Sequence, residues 1–135
     1  MVARRREAAR NARRYTTCSV GMCLRYVRTW LEIGSYYGSA IEAWRGANGK
    51  HWGDRTPPRG VPVFYEGGTY GHIALSMGHG KVRSTDAPYS GRVSTVDLNW
   101  PEQHWGQKYL GWTETLNGVR IPFANKPKRK NKGKK

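Results

Sequence analysis

Apolar side chains recur with helical spacing early in the chain and in short strand-like runs later. Over residues 22–33, Cys23, Tyr26, Val27, Trp30 and Leu31 fall at i, i+3, i+4, i+7 and i+8, which predicts an amphipathic helix. Ser19 or Gly21 stands at its start, and Gly34 stands where a C-terminal glycine belongs. Ala40, Ala43, Trp44 and Ala47 share one face of a second helix over 39–47, and Gly49, Gly53, Pro57, Pro58 and Gly60 then mark a long loop. Beyond it the period shortens. One strand is expected over 61–66, with Pro62 pointing to an edge or a strand start. Two more, over 72–77 and 81–86, are joined across Gly78-His79-Gly80. Weaker strand signals cover 93–97, 109–113 and 119–121, and a short helix covers 101–105. Helices first and antiparallel strands afterwards predict an α+β fold, with N-terminal helices packed on an antiparallel β-sheet.

The polar positions at the two ends change this picture. The chain has 135 residues and a formal net charge of +15, which invites a guess of nucleic-acid binding. Residues 1–14 hold six arginines against Glu7, and residues 123–135 hold seven bases and no acid. Residues 15–122 hold 11 bases against 8 acids, so most of the charge lies outside them. Residues 1–14 offer no apolar stripe for docking and read as a basic, flexible, solvated arm. Residues 123–135 have too few apolar groups to offset ordering and read as a basic disordered tail. A single domain over 15–122 remains. No apolar run approaches the roughly 20 residues of a membrane helix, and no 7–15-residue apolar stretch follows the first arginines, so neither a membrane span nor a Sec signal is expected. The Arg- and Ala-rich start mimics a transit peptide, but the basic C-terminal tail gives that idea no support.

Candidate chemistry centres on Cys23. It falls in the first turn of the 22–33 helix, where unpaired N–H groups and the helix dipole favour a thiolate. A nucleophilic thiol needs a base, and the base an orienting acceptor. His72 opens an apolar strand just after Gly71. A three-residue loop at 78–80 makes Met77 face Lys81, and His72 then faces Asp86 on the same side of the sheet. A two-residue loop makes the partner Thr85 instead. The bland alternatives are a core cysteine, a structural histidine and a turn-capping aspartate. Cys18 is a competing nucleophile or a bridge partner for Cys23. His51, His72, His79 and His104 match no metal-ligand spacing with the two cysteines, so neither a metal nor another cofactor is expected.

In order along the chain, four segments resemble CHAP domains, the cysteine- and histidine-dependent amidohydrolases/peptidases. Gly21-Met22-Cys23-Leu24-Arg25-Tyr26-Val27 resembles their G-x-C-x-x-[WY]-V segment, and Ala40-x-x-Ala43-Trp44-x-x-Ala47 their second helix. Pro58-Arg-Gly60-Val-Pro-Val63 resembles the P-x-G-x-[IV] entry to the first strand, and Gly71-His72-Ile73-Ala74-Leu75 the G-H-[VI]-A strand. The likeness covers about residues 15–122. It implies a papain-like fold of the CHAP and NlpC-type superfamily and a peptidoglycan amidase or peptidase of the endolysin, virion-associated lysin or autolysin kind. Cys23 would be the nucleophile, His72 the base and then acid, and Asp86 the orienting residue. Such domains often carry Glu or Asn in that third role. Thr17, six residues before Cys23, is a weak stand-in for the papain-type glutamine, so the Cys23 N–H is the expected oxyanion donor.

Trp44, Trp52, Tyr70 and Trp100 are candidates to line a substrate groove, with core packing as the competing role, above all for Trp44. The basic ends would hold the protein on anionic cell-wall polymers. A phage lysin would pass from host cytoplasm to cell wall or travel in the virion, and a monomer is expected. Two alternatives stand beside this reading. One is a nucleic-acid-binding or virion structural protein using its basic tails. The other is an inactive papain-like assembly protein.

Overall fold

The computed structural model of the chain describes residues 2–122. Its elements are α1 (Arg5–Arg13), α2 (Cys23–Leu31), α3 (Ala40–Gly46), β1 (Lys50–Trp52), β2 (Pro62–Glu66), β3 (His72–Gly78), β4 (Lys81–Thr85), β5 (Val93–Asp97), α4 (Trp100–Trp105), β6 (Lys108–Thr113), β7 (Thr115–Leu116) and β8 (Val119–Arg120). The architecture is α+β, with an antiparallel six-stranded sheet in the order β1-β6-β2-β3-β4-β5 and a small β7-β8 ribbon. Among the described residues no helix is long and apolar enough to cross a membrane. The basic tail expected over 123–135 lies outside the described residues.

The helical pattern in α2 becomes packing. Val27, Trp30 and Leu31 are fully buried and Leu24 nearly so. Burying a side chain of this size stabilises the fold by about 1.5–3 kcal/mol. The helix stops earlier than Gly34, because Glu32 takes a left-handed conformation (φ 59°) and closes the last turn with its N–H on Arg28 and Thr29 carbonyls. α3 starts as expected, with Ser39 Oγ accepting from the Glu42 N–H at 3.3 Å. Strand β3 is buried from His72 to Met77, so it shows a continuous apolar run without alternation. It lies between β2 and β4 and carries His72 at its first position. The 49–60 segment is not all loop, since Lys50–Trp52 pairs with β6.

Residues 1–14 are not a solvated arm. Residues 5–13 form α1, and Ala8, Ala9 and Ala12 are each 0% exposed. Alanine adds little apolar area per residue, which hides the stripe in the sequence, but its small size lets backbones approach closely. The Ala3 N–H donates to Leu31 O at 2.8 Å and Asn11 Nδ2 to Trp30 O at 2.9 Å, both at the end of α2. Arg83 of β4 donates through Nε to Ala12 O at 3.2 Å and through Nη2 to Tyr15 O at 2.7 Å, which satisfies carbonyls at the helix end. Gly60 makes room for α1: a Cβ there would lie 2.2 Å from Arg5 O, and its φ of +88° itself favours glycine. Arg6, Arg10, Arg13 and Arg14 are left on the outer surface of the folded body.

Candidate active site

Cys23 is the first residue of α2 and His72 the first of β3, and both line one cleft of about 420 Å3 together with Asp86. Gly71 allows the histidine its place. Its φ is +69°, and a Cβ there would lie 2.9 Å from Tyr65 O and 3.2 Å from Ile41 Cβ. The same turn is pinned to α3, because Tyr70 O accepts from the Ile41 N–H at 2.9 Å.

His72 is buried, and its Nε2 lies 2.9 Å from Ser84 Oγ. Ser84 donates its single hydroxyl proton to Thr85 O at 3.0 Å. Its oxygen is then left as an acceptor, so Nε2 carries the ring proton. The lone pair sits on Nδ1, the nitrogen needed to take a proton from a thiol. Trp105 of α4 packs edge-on against the ring at a centroid distance of 5.0 Å, and Tyr65 packs at 6.0 Å. Burial pushes the His72 pKa down from 6.5 to about 4, against the opposing influence of the Asp86 charge.

Burial also pushes the Cys23 thiol up. The N–H groups of Ile73, Leu24 and Cys23 itself favour the thiolate, but they do not outweigh desolvation, and the Asp86 charge adds to the rise. The helix N-terminus was expected to leave a resting thiolate. The raised Cys23 pKa and the lowered His72 pKa favour a thiol and a neutral imidazole in the one cleft instead, although Cys23 itself is only half-buried. Cys18 and Cys23 are both free, so the local bridge is not formed. Cys18 Sγ lies 3.6 Å from Asp86 Oδ1 and 3.5 Å from Arg92 O, two acceptors for its one weak donor proton, and its pKa is also raised, chiefly by burial.

Asp86 does not hold the imidazole as expected. The inner ladder pairs Leu75 with Arg83, as the expected register requires, while near the turn the register shifts and Gly78 faces Lys81 in place of Met77. Strand β4 ends at Thr85, and Asp86 turns into a left-handed conformation (φ 58°). Its carboxylate accepts from the Gly21 N–H at 3.0 Å and the Gly91 N–H at 2.9 Å. It therefore ties the segment just before Cys23 to the loop after β4. Ser84, one diagonal step from the direct partner, holds His72 instead. Thr85, the other candidate, alternates to the opposite face of β4, and its buried Oγ1 has no hydrogen-bond partner among the described residues.

The aromatic candidates separate. Tyr70 lines the cleft and is 69% exposed. Trp52 is 68% exposed but lies outside the cleft lining, edge-on to Trp44 at 4.9 Å. Trp44 is 4% exposed and belongs to the core with Phe64. Trp100 is also outside the lining. It stacks on His104 at 4.3 Å and meets Trp105 at 5.0 Å, so it supports the ring that packs on His72.

Ser84 and Trp105 are the two residues sequence reading missed. Ser84 shares the strand face of His72 by simple alternation, and that parity was the available signal. Trp105 gave none beyond its place in a short aromatic helix. No protein-family model matches the chain, and no curated protein matches it.

Proposed function

We propose that the chain is a cysteine-dependent hydrolase of amide bonds with a papain-like architecture of the CHAP and NlpC type, acting on peptide linkages of bacterial peptidoglycan. The observation that carries this reading is the cleft shared by Cys23, on a helix N-terminus, and His72, whose tautomer leaves Nδ1 as a base. In the first step Cys23 Sγ bonds to the scissile carbonyl carbon while its proton passes to His72 Nδ1. The Cys23 N–H is a donor for the developing oxyanion. His72 then returns the proton to the leaving amine as the C–N bond breaks, giving a thioester. Water adds to the thioester carbonyl, its proton passing to His72. The C–S bond breaks, the thiol is reprotonated and a carboxylic acid leaves. Tyr70 offers an exposed aromatic face on the cleft wall for the peptide or sugar.

Loss of turbidity of purified cell walls tests this reading. Wild type clears the suspension and Cys23→Ala does not, while equal clearing by both contradicts the nucleophile. A second reading has its own support: the exposed Arg6, Arg10, Arg13 and Arg14 on and beside α1 give a fixed cationic face suited to nucleic acid. DNA binding that falls steeply with salt, with no clearing by wild type, favours it.

A further inference from the structure

The cleft carries two cations that the mechanism does not use. Arg25 and Arg28 lie on α2, and both line the cleft beside Cys23. They are one helical turn apart, so their side chains are neighbours on the helix surface. Neither forms an ion pair with a described carboxylate. The cleft lining includes one acid, Asp86, whose oxygens accept from Gly21 and Gly91 amides. Arg25 is also poorly placed for the helix itself. It stands in the first turn, where the dipole opposes a cation, and that turn holds no acid. Helix stability therefore does not account for it.

We propose that Arg25 and Arg28 form a carboxylate-binding subsite that selects peptides carrying a free carboxylate near the scissile amide. Guanidinium groups bind carboxylates through paired, charge-assisted hydrogen bonds, and here Arg25 is exposed and Arg28 half-buried, so both are open to a ligand. Arg28 lies five positions from Cys23, about 7.5 Å along the helix axis. That span corresponds to about two residues of an extended peptide. The proposal rests on the reading of the cleft as a peptide-amide hydrolase site, and it names which amides are taken.

Binding to the Cys23→Ala protein, measured by calorimetry, tests the subsite without needing turnover. The probes are a synthetic tetrapeptide with free carboxylates and the same peptide fully amidated. The acid form binds about tenfold tighter at low salt, as expected for charge-assisted contacts. Added salt narrows the difference. In Arg25→Gln/Arg28→Gln on the same background the preference falls below about twofold, and Arg25→Lys/Arg28→Lys restores part of it because charge is kept and the fork is lost. Equal binding of the two peptides, or a preference unchanged by the glutamine pair, overturns the proposal. If the preference holds but wild type cleaves neither peptide nor cell walls, the subsite stands and the hydrolase reading falls. If wild type cleaves both peptides equally and Cys23→Ala shows no preference, the reverse is true.

Discussion

Two histidines at different places on the sheet are held in contrasting ways. His51, on edge strand β1, bonds through Nε2 to the Glu114 carboxylate at 2.7 Å and stacks on Trp112 at 3.7 Å. His72, at the start of interior strand β3, is buried and bonds a neutral hydroxyl, Ser84. A search for a histidine–acid pair alone would choose His51. Among the described residues no thiol touches it, and its carboxylate partner also reaches Arg120 at 3.7 Å. Among the described residues His72 has no acid partner and no hydrogen bond at Nδ1, but it shares a cleft with Cys23. What marks out the proposed site is a thiol and an available lone pair in one cleft, rather than the strength of the orienting partner.

The largest effect that separates the two is on activity. His72→Ala lowers the rate of cell-wall hydrolysis about 10^3-fold or more, within the range for a general base and acid acting in one cycle. His51→Ala leaves the rate within about twofold. Comparable losses from both substitutions in folded protein would break the contrast.

Stability against pH comes next. The folded His72 takes its proton near pH 4 and an ordinary histidine near 6.5. As pH falls the unfolded chain therefore binds the proton first. The contribution is fully present above about pH 6.5 and is lost on acidification towards pH 4. The loss approaches about 3 kcal/mol. Urea unfolding at several pH values checks this: His72→Gln flattens the slope in that window and His51→Ala does not. An unchanged slope in His72→Gln contradicts the burial account.

A smaller effect falls on Ser84. Ser84→Ala removes the acceptor that sets the His72 tautomer, and hydrolysis slows about tenfold or more because the base is misplaced rather than deleted. It also leaves the Nε2 proton buried without a partner, at a cost of about 1–3 kcal/mol. Ser84→Thr, which keeps the hydroxyl, recovers part of the rate. Steady-state kinetics and denaturant curves on the three proteins measure both effects. The smallest effect is at the other histidine. Glu114→Gln keeps a hydrogen-bonding group of the same shape, and it lowers stability by less than about 1 kcal/mol with the rate unchanged.

The chain's patterns carried some of this further than others. The apolar stripe of α2 and the buried run of β3 were legible because large side chains repeat at helical or strand spacing, and they place Cys23 and His72 at the starts of their elements. The docking of α1 was not legible. Ala8, Ala9 and Ala12 gain their contacts through close backbone approach, permitted by a glycine more than forty residues away. The early stop of α2 at Glu32 was equally hidden, since a non-glycine residue takes the left-handed position. At the site, strand parity put His72 and residue 86 on one face, but parity does not say which side chain turns inward. A left-handed backbone at Asp86 sends its carboxylate to Gly21 and Gly91, and that left the imidazole to Ser84. The burial that raises the Cys23 pKa and lowers that of His72 arises from tertiary packing, which a local reading based on the helix dipole did not contain.

The most direct measurement is mass spectrometry of the acyl-enzyme. Wild-type protein is mixed with soluble muropeptide, quenched in acid during turnover and digested. Fragmentation then separates the Cys18 and Cys23 positions. An acyl group on Cys23, absent in His72→Ala over the same time, is the predicted result. Turnover with the acyl group on Cys18, or with no thioester at either cysteine, would contradict it.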